Sequence, residues 1–189
     1  MVSSPLNYQL LANFFTFVME LKVIKRSGWI TKVKVKNPES VADHTYAMST
    51  MVMVFSDILG MQTERALKMA ILHDLGESII GDYEPNEISS NEKRIRETEA
   101  IDRILYHLPE EISKEYANIW KEYLENKSNT SQLVHSVDRI EMAFQAKTYE
   151  SQGYPSSTLQ QFFTSTMEDG EGNDLQLILK RTRDAFFSE

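Results

Sequence analysis

Ala70-Ile71-Leu72-His73-Asp74-Leu75-Gly76-Glu77 is the stretch whose reading decides the fold. Its first three residues close a segment that Thr63 caps and in which Ala66, Leu67, Ala70 and Ile71 recur at helical spacing. An imidazole and a carboxylate follow at once. A helix that ends on an apolar run delivers them close to the core. An ionised aspartate there costs several kcal/mol unless it is paired or metal-bound. Successive helical residues diverge by about 100°, so His73 and Asp74 cannot close a site alone. They can share one ion at the helix end if other helices bring the remaining ligands. The expectation is an all-α protein with a metal site between its helices.

Working outward, the same period recurs along the chain. Leu10, Leu11, Phe14, Phe15, Val18 and Leu21 predict a first helix over residues 5–25. Residues 26–38 read as a connector, and Val33 and Val35 suggest a short extended piece in it. Ser40 is a good N-cap for a helix to about residue 59, which Gly60 stops. Residues 63–73 follow, then a short turn over 75–80 that ends at Gly81, and a loop over 85–88. Residues 91–108 predict a strongly charged helix, 111–125 another after Pro109, and 131–151 a long one. After Gly153 and Pro155 come helices over 159–167 and 175–187. Nothing in the breaks resembles an inter-domain linker. The reading is one all-α domain over 1–189, with the site core at about 40–140 and the terminal helices packed on it.

Composition narrows the function classes. Of 189 residues 41% are hydrophobic, enough to bury a core. The charge of −8, from 20 basic and 28 acidic side chains, argues against a nucleic-acid polymer as partner. It leaves small anionic substrates open, because a metal and a local cation set the field inside a pocket. With no cysteine there is no disulfide, no thiolate nucleophile and no Cys-type zinc site. No apolar run approaches the ~18 residues of a spanning helix, so no membrane partner is expected. No basic-then-apolar leader opens the chain. The expected location is cytoplasmic.

Further ligands must come from other segments. His44 lies in Ala42-Asp43-His44-Thr45 near a helix start, and Asp138 in Ser136-Val137-Asp138-Arg139 within an apolar helical stretch. Taken singly, each has a bland reading: a polar residue in a first turn, and an ion pair with Arg139. Together with His73 and Asp74 they make two nitrogens and two carboxylates. That set suits one divalent transition ion with positions left for water and substrate. Glu77 lies one turn past His73 and can face the same site, although a helix-end carboxylate is often only solvated. Asp82, after Gly81, can reach it from the next loop, although Gly-Asp is also ordinary turn chemistry. One of the two acids would take a proton from the attacking water and the other give one to the leaving oxygen. Glu141, one turn past Asp138, is placed to orient a ligand. His107 and His135 read as structural or exposed, and Glu92, Lys93, Arg94 and Arg96 as a solvated helix face. Phe14, Phe17, Phe162 and Phe163 are either a homodimer interface or core.

The order His44, His73-Asp74, Asp138 resembles the H…HD…D signature of the HD-domain superfamily. The string from His73 to Asp82, HDLGESIIGD, is similar to that of its 5′-deoxynucleotidase branch, the group named HD-domain-containing protein 2. Arg26-Ser27-Gly28-Trp29, Pro38-Glu39-Ser40-Val41-Ala42-Asp43-His44, Asn91-Glu92-Lys93 and Leu159-Gln160-Gln161-Phe162 agree with it, so the resemblance covers most of the chain. It implies an HD-domain helical bundle holding one divalent transition ion (manganese, cobalt, iron, nickel or zinc) on His44, His73, Asp74 and Asp138. It implies hydrolysis of deoxyribonucleoside 5′-monophosphates to deoxynucleoside and phosphate, and a homodimer. By the same resemblance Glu77 is catalytic and Arg26 contacts phosphate, which a guanidinium grips with forked hydrogen bonds. Trp29 matches an aromatic that packs on the sugar and disfavours a 2′-hydroxyl, and its alternative is ordinary core. Ser27 and Gly28 separate it from Arg26, as in the archaeal and eukaryotic branch; the bacterial branch has the two adjacent. Two rivals stand beside this reading. One is an HD phosphohydrolase of a cyclic nucleotide, a nucleoside triphosphate or an alarmone. The other is a non-catalytic helical module stabilised by metal.

Overall fold

A computed structural model describes residues 6–83, 88–164 and 174–188. Among these residues there are nine α-helices and no strand: α1 (Tyr8–Glu20), α2 (Val41–Ile58), α3 (Thr63–Leu72), α4 (Glu77–Ile80), α5 (Ser90–Leu105), α6 (Glu110–Glu125), α7 (Asn129–Ser151), α8 (Ser156–Thr164) and α9 (Asp174–Phe187). None of them is long and apolar enough to cross a membrane. The all-α expectation holds.

Side-chain caps set where the helices begin. Asn7 Oδ1 accepts from the N–H groups of Gln9 and Leu10, both at 3.1 Å. Ser40 and Asp43 form a reciprocal capping box, with Ser40 N–H donating to Asp43 at 2.8 Å and Asp43 N–H to Ser40 Oγ at 3.1 Å. That box fixes the phase of α2 and so carries His44, one residue on, into the core. Ser89 and Ser128 cap α5 and α7 more simply, their side chains accepting from the N–H groups of Glu92 and Ser131.

The helices α2, α3 and α7 meet at the centre. Val41, Met48, Val52, Ala66, Ala70, Leu133, Val134 and Val137 are fully buried there. Each large side chain so removed from water contributes about 1.5–3 kcal/mol. Phe14 of α1 and Leu179 of α9 belong to the same buried cluster. A second cluster joins Trp29, Val33 and Val35 to Ala146 and Tyr149 of α7 and Leu159 of α8.

The structure departs from the predicted elements in several places. The first helix ends at Glu20, five residues early. There the backbone turns aside to bond the start of α2: Ala42 N–H donates to Leu21 O, Val41 N–H to Ile24 O and Arg26 N–H to Glu39 O. No extended piece forms at Val33 and Val35. Residues Trp29–Val33 instead make a single π-helical turn that buries Trp29 and Val33 together and ends at Lys34 with φ 64°. The one bridge nearby is an isolated pair, Lys25 with Ser40. The predicted loop at 85–88 falls, apart from Ile88, outside the described residues, as does the end of the predicted 159–167 helix. Of the four phenylalanines weighed as an interface, Phe14 is buried, and Phe17, Phe162 and Phe163 are half-buried against the two cores. Exposed apolar side chains occur on several elements, among them Tyr8, Phe15 and Met19 on α1 and Tyr46, Met53, Val54 and Ile58 on α2.

Candidate active site

Three separated segments bring their polar side chains to one place. His44 stands in the first turn of α2 and is wholly buried. His73 sits at the C-cap of α3, Asp74 follows it in the turn to α4, and Glu77 is the first residue of α4. Asp138 and Glu141 project from α7 one turn apart. His44 Nε2 lies 3.2 Å from Asp138 Oδ1 and 3.8 Å from Asp74 Oδ2, and His73 Nε2 lies 3.0 Å from Asp74 Oδ2.

The far side of each imidazole is already committed. His44 Nδ1 is 2.6 Å from Glu141 Oε2, and His73 Nδ1 is 2.6 Å from the carbonyl oxygen of Ala70. Both partners are acceptors, so each ring carries a proton on Nδ1 and turns Nε2 inward. The two Nε2 atoms and Asp138 Oδ1 are buried and without a hydrogen-bond partner. The contact of His44 with Asp138 is short, yet its alignment is not that of a hydrogen bond. Convergent lone pairs with fixed outer partners are what a divalent cation requires, and one ligand atom each from His44, His73 and Asp74 lies within 4.8 Å of the others. The residues present therefore fit a metal ion.

Above this cluster opens a cavity of about 620 Å³, a size suited to a nucleotide. Arg26, Asp74, Glu77, Asp82 and Asp138 form its floor, and Trp29 and Phe162 one wall. Arg26 Nη1 is 3.2 Å from Asp74 Oδ2 and 3.7 Å from Asp82 Oδ1. Asp82 Oδ2 also accepts from Ser27 N–H at 2.5 Å and from Ser27 Oγ–H at 2.9 Å. Trp29, only 2% exposed, donates its indole N–H to Glu39 Oε1 at 2.7 Å. Its ring centre is 4.2 Å from that of Phe162 and 5.1 Å from that of Tyr149.

A family model described as HD domain matches residues 18–175. The chain belongs to the HD domain family. It is 40% identical over 154 residues to 5′-deoxynucleotidase HDDC2 of Danio rerio, spanning 81% of this chain and 76% of that one. It is 38% identical over 157 residues to 5′-deoxynucleotidase HDDC2 of Homo sapiens, spanning 82% and 76%. Its fold resembles that of a conserved hypothetical protein from Pyrococcus furiosus, with TM-score 0.77, 30% identity and coverage of 94% and 99%. HD domains are metal-dependent, and in this one His44, His73, Asp74 and Glu141 frame the candidate metal site.

The electrostatics of this HD domain are those of a cation site. Burial pushes the Asp74 carboxyl up, but His73, Arg26 and His44 outweigh it and hold the group well below the usual carboxylate range. Burial likewise opposes ionisation of Asp138, yet His44 and His73 draw it down to about 2. Burial and Arg26 push the His44 imidazole down, while Asp138 and Glu141 lift it to about 10. A proton on His44 Nε2 and a metal ion would compete for the same place, so metal binding there would release that proton. Glu77 differs from its neighbours. It is 2% exposed, its Oε2 has no partner, and burial together with Asp74 and Asp82 pushes its carboxyl well above the usual range.

Several residues of the HD domain site were not legible as such. Lys93 and Arg94 line the cavity, although the charged run at 92–96 reads as a solvated face. The rest of that run fits the solvated reading, since Glu92 pairs with Arg96 across one turn at 2.6 Å. The missed signal was the four-residue step from Lys93 to Glu97 to Ile101, which sets the first two on the buried side of α5. His135 and Tyr123 also line the cavity, with rings stacked 4.1 Å apart. His135 Nε2 bonds the Tyr123 carbonyl oxygen, and His107 Nδ1 lies 3.0 Å from Arg103 O, so both hold structural contacts. Glu39 carried no assigned role.

Proposed function

We propose that this protein is a metal-dependent 5′-deoxynucleotidase that hydrolyses deoxyribonucleoside 5′-monophosphates to deoxynucleoside and phosphate. The observation that carries it is the set of partnerless buried atoms, His44 Nε2, His73 Nε2, Asp138 Oδ1 and Glu77 Oε2, beneath a nucleotide-sized cavity with Arg26 at its base. The relatives named 5′-deoxynucleotidase at 38–40% identity support the substrate class.

His44, His73, Asp74 and Asp138 would hold one divalent transition ion, manganese, cobalt, iron, nickel or zinc. When bound, such an ion lowers the pKa of water toward neutrality and offsets charge on phosphoryl oxygens. Glu141 and the Ala70 carbonyl keep the two imidazoles in the ligating tautomer. Arg26 directs its guanidinium to the phosphate oxygens, prealigned between Asp74 and Asp82. Glu77, buried with a free Oε2, exchanges a proton with the reacting oxygens. Asp82 fixes Arg26 and Ser27, and Trp29 with Phe162 forms the wall against which the sugar lies. The same reading makes the protein a cytoplasmic homodimer, for which the exposed apolar side chains of α1 and α2 offer an interface.

The test is phosphate release from a panel of deoxynucleoside and ribonucleoside monophosphates, cyclic nucleotides and triphosphates with added manganese or cobalt. Turnover confined to deoxynucleoside monophosphates is expected. Metal-replete folded protein that releases no phosphate from any monophosphate would sink the reading.

A further inference from the structure

We infer that Glu39 is a positioning residue that sets the Trp29 wall of the substrate cavity. Glu39 lies in the link between the π-helical turn and α2, directly before the capping Ser40. Its contacts run to Arg26 and Trp29, the two ends of the 26–29 segment that lines the cavity. Oε1 accepts the Trp29 indole N–H at 2.7 Å, and the Glu39 carbonyl oxygen accepts Arg26 N–H at 3.2 Å. On the other side Glu39 N–H donates to Tyr149 Oη at 2.9 Å, which ties the link to α7. One residue thus joins the indole, the backbone under the guanidinium and the helix that carries Asp138.

The choice of a carboxylate here has a cost. One oxygen of Glu39, one of Glu141 and a ring nitrogen of His44 lie within 4.8 Å of one another. Two acids so close and so little solvated repel each other, and burial and Glu141 push the Glu39 carboxyl up to about 7 while Trp29 draws it down. Residues that break a local rule of this kind concentrate where function needs them. The indole anchor supplies the reason. The Trp29 ring is covered by Phe162 on one face and meets Tyr149 edge-on. Stacking and edge contacts fix how far the ring sits from its neighbours, but the directional bond to Oε1 fixes its rotation. Phe162 also lines the cavity, so the two rings move as one wall.

The identity of the substrate in this inference rests on the deoxynucleotidase reading; the anchor itself does not. Four variants test it: Glu39→Ala, Glu39→Gln, Trp29→Phe and the double Glu39→Ala/Trp29→Phe. The protein has two tryptophans, so it gives two indole N–H resonances, and the one lost in Trp29→Phe is that of Trp29. In Glu39→Ala that resonance moves upfield and exchanges faster, KM for the deoxynucleotide rises about five- to tenfold, as loss of one such hydrogen bond requires, and kcat stays within about twofold. Discrimination against the ribonucleotide falls, while bound metal per chain is unchanged. Glu39→Gln keeps the acceptor oxygen and restores both the resonance and KM. Trp29→Phe deletes only the donor and its ring edge, and the double variant is no worse than the worse single one. An unmoved resonance and KM in Glu39→Ala would overturn the inference. So would a loss of metal in place of a rise in KM, which would assign Glu39 to the His44–Glu141 pair. If Glu39→Ala does not fold, Trp29→Phe against Glu39→Gln decides. If no nucleotide is turned over, the substrate reading fails and the resonance alone decides the anchor.

Discussion

Along the seam between α3 and α6, charged side chains satisfy one another. Arg65 bonds Glu122, Ser128 Oγ donates to the other Glu122 oxygen at 2.5 Å, and Lys68 sits between Glu64 and Glu115 at 2.6 and 2.7 Å. Beneath the cavity the acids Asp74, Glu77, Asp82 and Asp138 gather about the guanidinium of Arg26, and four buried atoms are left over. The seam is partly exposed and each pair there is worth little. The cavity floor is half-buried, but Glu77 and the four leftover atoms are shut off from solvent, and that unmet polar capacity costs stability in the free protein. The difference separates charges that the fold uses from charges that it reserves. If that distinction is right, substitutions in the floor remove turnover with little loss of stability, and substitutions in the seam do the reverse.

The largest break is expected from His73→Ala or Asp74→Ala. Each removes an inward-facing ligand atom, and kcat/KM should fall by at least about a thousandfold, or about 4 kcal/mol of transition-state stabilisation. Helical circular dichroism should stay at the wild-type level, because Ala66, Met69, Ala70 and Leu72 keep α3 in the core. Activity that survives with full metal content would show that the floor is not the reaction centre.

Next comes Glu77→Gln. A neutral isostere removes a proton exchanger, so kcat should drop about 10²- to 10⁴-fold with bound metal unchanged. The same change removes a carboxyl crowded by Asp74 and Asp82, so the melting temperature should hold or rise. A fall in stability with activity intact would place Glu77 with the seam residues.

Glu141→Ala probes the outer support of the floor. Without an acceptor on Nδ1, His44 loses the contact that fixes its tautomer, and metal affinity should weaken about 10- to 100-fold by competition titration. With saturating metal, most of the activity should return. Failure of metal to restore it would mean that Glu141 touches the reaction directly.

How much of this contrast could be read from the chain depends on how local its causes are. The His73-Asp74 pair was legible because an apolar run ends directly on it. His44 and Asp138 were not legible singly, since what distinguishes them is a meeting across three helices; the family pattern supplied it. The end of α1 was misplaced because the carbonyls of Leu21 and Ile24 leave the helical ladder to bond Ala42 and Val41, about twenty residues on, and no local propensity reports such a bond. Val33 and Val35 suggested an extended piece by their branching, and tertiary burial beside Trp29 overrode it. Phe162 read equally as interface or core because its partner, Trp29, is distant in sequence.

The smallest effect is expected in the seam itself, from Glu122→Gln. Burial pushes the Glu122 carboxyl up, but Arg65 and Ser128 outweigh it and hold its folded pKa below the ordinary 4.5. A depressed folded pKa means that the unfolded chain binds the proton more readily, so the ionised pair stabilises the fold above about pH 4.5 and that gain fades as pH falls through the folded value. Because Arg65 is about a third exposed, solvent screening limits the gain to about 0.5–1 kcal/mol at pH 7. Urea unfolding at pH 7, 5 and 3 should therefore show the variant less stable at pH 7 and the two proteins converging toward pH 3. Its kcat/KM should stay within about twofold of wild type, since the pair contributes to the fold and not to the reaction. A gap in stability that widened toward acid pH would mean that Glu122 is held protonated, and that the seam, like the floor, keeps a charge it cannot satisfy.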